Sequence, residues 1–320
     1  MHILVTGGAG YIGSITTRAL LDAGHECTVL DTLENGHRWA VDNRATFKEG
    51  NVGDRTLVRD ALDGVDCVMH LAGYIEVAES VTNPEKYFKN NVDAPRIMLE
   101  EMVRLGIGKL VFSSTAAVYG DPSEIPLTES AQTSPINPYG ESKLCFERLL
   151  DEYTPAITSI RFRYFNAAGA SPDARLGESH DPETHLIPRA LHAVIDRQQS
   201  FTIFGDGYPT KDGTCVRDYI HVCDLAQAHL LGIEALGRDE PGGVYNLGVG
   251  NGFSNLEVLI ACKDITGSTL EIVFGQPREG DPAVLVASSE AARRRFGWCP
   301  AYSDLSTIID HAYAWHTTHS

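Results

Sequence analysis

Residues 2–13 read HILVTGGAGYIG: a short apolar run followed at once by Gly7, Gly10 and Gly13. The G-x-x-G-x-x-G spacing falls where a strand meets a helix, because Tyr11 to Ala23 carries a helical pattern that stops at Gly24. Glycines there allow a tight turn and let backbone approach a pyrophosphate, whose charge meets the unpaired N–H groups of the helix start. A second apolar run ends at Asp31, 18 residues after Gly13. A carboxylate at that place accepts hydrogen bonds from both hydroxyls of an adenosine ribose and repels a 2′-phosphate. The stretch therefore predicts a dinucleotide site for NAD rather than NADP.

Working outward, strands are expected at His2 to Thr6, Glu26 to Leu30, Ala45 to Lys48, Cys67 to Leu71, Lys109 to Ser113 and Ile157 to Arg163. Helical patterns lie between them, and Pro84 to Leu105 and Pro138 to Tyr153 each open on a proline suited to a first turn. Alternating β and α elements imply a parallel, doubly wound α/β sheet of the Rossmann type. After Ala167 the pattern breaks into segments such as SPDARLGES and FGDGYPTKDGT, which predict a smaller mixed α/β domain. The expected division is 1–167 for the dinucleotide domain, rejoined by about 217–240, and 168–320 for the second domain.

The chain has 320 residues, 43% hydrophobic and 22% charged, which is a globular composition. Its net charge of −17 opposes binding to nucleic acid or acidic lipid, while leaving room for one small anion held locally. No apolar run approaches the ~20 residues of a membrane span, and the N-terminus lacks a signal-peptide pattern, so a cytoplasmic protein is expected. The seven cysteines are scattered without a C-x-x-C pair and the 12 histidines show no H-E-x-x-H, so no metal site is expected.

Tyr139 and Lys143, in PYGESK, are four residues apart and share a helix face. An ammonium close to a phenol lowers its pKa from ~10 toward neutrality and makes tyrosine a base for an alcohol. The fifth strand, in LVFSSTAAVYG, delivers Ser113, Ser114 and Thr115 to the sheet edge where doubly wound folds bind ligands. Together with the glycine turn, this Ser/Thr, Tyr, Lys arrangement resembles the short-chain dehydrogenase/reductase superfamily. Further segments, TGGAGYIGS, VAESVTNPEKYFKNNV, FSSTAAVYGDP, NPYGESK, RYFNAAGA, HLIPRAL, IFGDGYPTKDGTCVRDYIHVCDLA and REGDPAVLVAS, resemble the UDP-glucose 4-epimerase family in order and spacing over almost the whole chain.

That resemblance implies an enzyme that oxidises C4 of a UDP-hexose with NAD, turns the 4-keto sugar and returns the hydride to its other face. It assigns catalysis to Tyr139, Lys143 and Thr115. Gly7, Gly10, Tyr11, Ile12, Gly13, Asp31, Asn35, Gly36, Asn51, Val52, Leu71, Ala72, Gly73, Asn90, Ser113, Tyr139, Lys143 and Phe165 would line the NAD site. Thr115, Asn166, His185, Phe204, Arg217, Tyr219, Arg278 and Asp281 would hold the UDP-sugar, with the arginines on its pyrophosphate. A homodimer pairing helices around Pro84 to Leu105 and Pro138 to Tyr153 is also implied. Related dehydratases place an acid after the strand-five threonine, where this chain has Ala116 and Ala117. Three positions depart from the family pattern: Ile75 where many members carry a lysine, His185 for an asparagine, and Leu285 for a tyrosine on the sugar pocket wall. The alternatives are epimerisation of a UDP-N-acetylhexosamine or UDP-pentose, and a nucleotide-sugar sensor without turnover.

Overall fold

The computed structural model describes residues 1–122, 124–278, 281–302 and 304–319. In chain order the strands are β1 His2–Thr6, β2 Glu26–Asp31, β3 Thr46–Glu49, β4 Cys67–His70, β5 Lys109–Thr115, β6 Thr158–Tyr164, β7 Asn166–Ala168, β8 Ser200–Phe204, β9 Val216–His221, β10 Gly243–Leu247, β11 Gly252–Ser254, β12 Glu271–Gly275 and β13 Val284–Leu285. The helices are α1 Tyr11–Asp22, α2 Arg55–Ala61, α3 Val77–Thr82, α4 Pro84–Phe88, α5 Ala94–Leu105, α6 Pro138–Glu152, α7 Leu186–Ile195, α8 Val222–Gly237, α9 Asn255–Thr266, α10 Glu290–Phe296 and α11 Leu305–His319.

Seven parallel strands form one sheet in the order β3-β2-β1-β4-β5-β6-β10. Side chains alternate across each strand, so an apolar strand in this sheet feeds two cores. Leu4, Val68 and Phe112 meet Met98, Leu99 and Met102 of α5 and Phe146 and Leu150 of α6 on one face. Ile3, Val5, Met69 and Val111 meet Leu20 of α1, Leu225 and Ala228 of α8 and Trp298 on the other. This is the doubly wound Rossmann-type fold expected from the sequence. Strand order reverses between β1 and β4, which opens a crevice at their carboxyl ends.

The helical stretch from Pro84 to Leu105 is interrupted by a π-helical turn at Lys89–Asp93. Pro95 has no N–H to donate to the carbonyl four residues earlier, at Asn91, which favours a wider turn at this point. The buried Asn91 side chain accepts from Tyr74 N at 2.9 Å and donates to Tyr74 O and Ser142 Oγ at 3.1 and 3.0 Å. That places Asn90 and Tyr74 at the crevice.

Beyond β6 the chain builds a small sheet of β11, β9 and β13, with β7 also paired to β9, and a parallel pair of β8 and β12. Its core gathers α7, α9 and α11 around Ile187, Leu191, Leu259, Ile308 and Ile309. Between β9 and β11 the chain returns to the large sheet, with α8 in that sheet's second core and β10 pairing with β6. Strand β10 was not read from the sequence, because GVYNL is short and bounded by Gly242 and Gly248.

Candidate active site

The crevice is shaped first by backbone contact. Gly7 leaves β1 with φ +75°, and a Cβ there would stand 2.6 Å from Ala72 N at the end of β4. A Cβ on Gly13, in the first turn of α1, would lie 2.0 Å from Gly7 O. Only glycine fits both places. Gly10 precedes the first residue of α1 and offers no side-chain cap, so the first N–H groups of the helix remain available to an anion. Asp31 is 8% exposed and accepts from Ala9 N at 3.0 Å and Leu33 N at 2.9 Å, which fixes the carboxylate while leaving acceptor capacity on both oxygens. Gly36 lies so close that a Cβ would stand 2.9 Å from Asp31 Oδ1. A cradle with these close approaches and this carboxylate fits a dinucleotide.

Thr115 ends β5, and Tyr139 and Lys143 lie one turn apart at the start of α6. Asn137 caps this helix by accepting from Gly140 N at 2.9 Å, and Pro138 occupies its first turn. A Cβ on Gly140 would sit 2.6 Å from Ala117 O, so α6 begins pressed against the chain just after Thr115. Lys143 is buried, donates from Nζ to Ser113 O at 3.0 Å and lies over Phe112. Burial pushes its pKa down to about 8. His70 beside it is pushed down to about 3 by burial and then by the Lys143 charge, so it stays neutral.

Proximity of the ammonium was expected to draw the Tyr139 phenol toward neutrality, but burial raises its pKa, aided by the charge of Glu76, against a lowering hydrogen bond from Thr115. Lys143 turns one of its three N–H bonds to the Ser113 carbonyl. The protein by itself keeps Tyr139 protonated.

A cavity of about 1020 Å³ joins these elements, and every residue expected to line the NAD site borders it. So do Thr115, Asn166, His185, Arg217, Tyr219 and Asp281 of the expected sugar-nucleotide set. Phe204 and Arg278 do not border it; the Arg278 guanidinium lies 4.5 Å over the Phe204 ring. Arg217 is paired with Asp281 and donates to Val216 O at 2.8 Å. Ile75 and Leu285 are both on the wall.

Other groups at the cavity escaped the sequence reading. Tyr74 donates to Glu34 across it at 2.7 Å, and Thr184 donates to Glu76 at 3.1 Å, linking the two sides. Glu178, His180 and Glu183 surround His185, and the crowding of acids and histidines in ESHDPETH was their only sequence signal.

A dinucleotide cradle opening onto a threonine, a tyrosine and a buried lysine defines a class of enzyme that works on a carbon bearing a hydroxyl. Residues 3–248 match the model of the NAD dependent epimerase/dehydratase family, and the chain belongs to that family. It is 46% identical to the UDP-glucose 4-epimerase of Lacticaseibacillus casei over 100% of this chain and 98% of that protein. The crystal structure of UDP-glucose 4-epimerase from Brucella ovis in complex with NAD is 41% identical, with a TM-score of 0.94, covering 98% of this chain and 97% of that one. UDP-glucose 4-epimerase from Bifidobacterium longum in complex with NAD+ and UDP is 34% identical, with a TM-score of 0.94, covering 99% and 98%.

The depressed Lys143 pKa has a stability consequence. A folded value of about 8 lies below the ordinary 10.5, so the unfolded chain holds this proton more tightly. The charged lysine therefore destabilises the fold fully below pH 8, and the penalty disappears as pH rises from about 8 to 10.5. In thermal melts of cofactor-free protein, Lys143→Met should unfold at a higher temperature than the wild type at pH 7, with the margin narrowing toward pH 10.5. A margin constant over that range would contradict the buried-ammonium account.

Proposed function

We infer that the protein is an NAD-dependent isomerase that inverts C4 of a UDP-hexose, interconverting UDP-galactose and UDP-glucose through a transient 4-keto sugar. The observation that carries this reading is that Thr115, Tyr139 and Lys143 border the same cavity as the glycine turn and Asp31. Gly7, Gly10 and Gly13 would receive the pyrophosphate of NAD, Asp31 its adenosine ribose and Lys143 its nicotinamide ribose. Bound there, NAD supplies positive charge and a hydride acceptor that later gives the hydride back.

Tyr139 moves the proton. As phenolate it takes the proton from the sugar O4, holds it while the keto sugar turns, and returns it to the other epimer. The Thr115 hydroxyl holds the same oxygen. Arg217, with Tyr219 and Asn166, would anchor the UDP, so that binding energy is kept in the part of the substrate that does not react. Its present partner Asp281 has to yield to the pyrophosphate. Arg278 is the second cation available, approaching from outside the cavity wall. After Thr115 stand the methyl groups of Ala116 and Ala117, which cannot move a proton, so elimination from the keto sugar has no acid there.

In this reading residues 1–167, with 217–240, hold the cofactor and 168–320 close over the UDP-sugar. A homodimer is proposed through the helices around residues 84–105 and 138–153, the first of which exposes Val103 and Leu105. Among the described residues no helix is long and apolar enough to cross a membrane, and a cytoplasmic location is proposed.

Tyr139→Phe should retain NAD and lose turnover of UDP-galactose by about 10²–10⁴-fold or more; wild-type turnover in the variant would remove Tyr139 from the mechanism, whereas absence of turnover in the unmutated protein would revive the sensor alternative. Leu285 on the cavity wall favours a second substrate, the N-acetylated hexose. The wild type should convert UDP-N-acetylgalactosamine as well as UDP-galactose, and Leu285→Tyr should lower the N-acetyl rate selectively by about tenfold or more. Equal loss on both sugars would place Leu285 away from the acetamido group.

A further inference from the structure

Glu178, His180, Glu183 and His185 lie in the segment that leads from β7 into α7, and one ligand atom from each comes within 4.8 Å of all the others. His180 Nδ1 stands 3.3 Å from Glu178 Oε1 and 3.6 Å from Glu183 Oε2, and His185 Nδ1 stands 4.0 Å from Glu183 Oε1. Neighbouring ligand atoms on a tetrahedral zinc with bonds of ~2.0–2.2 Å are ~3.4 Å apart. The 3.3 and 3.6 Å separations are close to that edge; His185 Nδ1 and Glu183, at 4.0 Å, would have to draw in, and His185 Nδ1 and Glu178, which touch directly, would have to part.

The second observation is one of unmet valence. The Glu183 side chain is 7% exposed, and its Oε2 meets only His180 Nδ1, at ion-pair distance and without hydrogen-bond geometry, while His180 Nδ1 pairs in the same loose way with Glu178 at 3.3 Å. Two polar atoms close together, both buried, and neither bonded to the other are expected when their lone pairs converge on a point between them. The imidazole rings of His180 and His185 meet edge to face at 80°, with centroids 5.5 Å apart, and each ring turns its Nδ1 toward Glu178 Oε1.

We propose that Glu178, His180, Glu183 and His185 bind one divalent transition-metal ion, zinc by the chemistry of the donor set, on the wall of the active-site cavity. Binding the ion releases the Nδ1 protons of both imidazoles to solvent, and the two carboxylates and two neutral imidazoles then make a four-coordinate N2O2 site whose charge of −2 the ion neutralises. Its role is to fix structure at the substrate side. His185 is the residue at the start of α7 and has no capping bond of its own, while Glu178 O accepts from Trp315 Nε1 of α11 at 3.0 Å. The ion ties these two anchored points together across Pro182. Coordination through Nδ1 also fixes the His185 tautomer, leaving Nε2 as a donor.

The test uses untagged, NAD-loaded protein treated with a chelator, then titrated with Zn²⁺ by calorimetry and with Co²⁺ by visible absorption. One equivalent of Zn²⁺ should bind, Co²⁺ should develop the d–d bands of a tetrahedral site, and Zn²⁺ should raise the unfolding temperature. His180→Ala and Glu183→Gln should each weaken Zn²⁺ binding by more than the ~10–100-fold typical of losing an outer-shell partner. Retained NAD reports that each variant is folded, and the near-isosteric Glu183→Gln decides the matter if His180→Ala does not hold NAD. No saturable uptake by the wild type, or uptake unchanged in a folded variant, would overturn the proposal and leave the cluster an ion-pair network.

Discussion

The close passage of Gly13 beneath the Gly7 carbonyl, with Gly7 itself against Ala72, is the constraint on which the rest of the site depends. It brings β1, α1 and the end of β4 together with no side chain between them, which sets the depth of the crevice and aims the start of α1 into it. Asp31 is held on the same turn through Ala9 N, so the carboxylate and the glycine cradle move as one piece. A methyl group at Gly13 would push α1 away from the turn and separate the two.

A second constraint fixes the chemistry. Tyr139, Lys143 and Glu147 are successive at four-residue spacing on α6 and therefore share one face. Glu147 receives a two-point bond from Arg163 on β6, at 2.9 and 2.6 Å, and also a bond from Ser114 on β5. Arg163 in turn donates to the Tyr119 hydroxyl at 3.1 Å, which donates to Asn246 on β10 at 2.7 Å. A bidentate buried pair of this kind is more valuable for geometry than for net stability, since desolvation offsets much of its attraction. Here it locks the rotation of α6 against the sheet, which is what points Tyr139 and Lys143 at the end of β5.

Much of this was legible in the sequence because it depends on local pattern. The apolar run HILVT, the three glycines and Asp31 specify the cradle through steric and electrostatic needs that few other residues meet. The Tyr139, Lys143 pair is legible for the same reason, as helix spacing alone puts both on one face. What was not legible depends on tertiary partners. The Tyr139 phenol is raised rather than lowered because of how deeply it is buried, with the charge of Glu76 adding to the rise. The π turn before Pro95 follows from a missing N–H, but its position at the crevice follows from Asn91 meeting Tyr74 and Ser142. Strand β10 has too short an apolar run to stand out, and only β6 gives it a partner. Phe204 and Arg278 were named from resemblance, and they face each other beyond the cavity wall.

The central claim is that C4 of the sugar loses and regains the same hydride inside one closed cavity, with Tyr139 handling only the proton on oxygen. The most direct test is to incubate the purified protein with UDP-galactose deuterated at C4, adding no nicotinamide, and to follow the product by NMR. The account predicts UDP-glucose with the deuterium still at C4 and none lost to water. Exchange of that deuterium with solvent during epimerisation would contradict it, because a carbon acid, and not a returned hydride, would then carry the inversion.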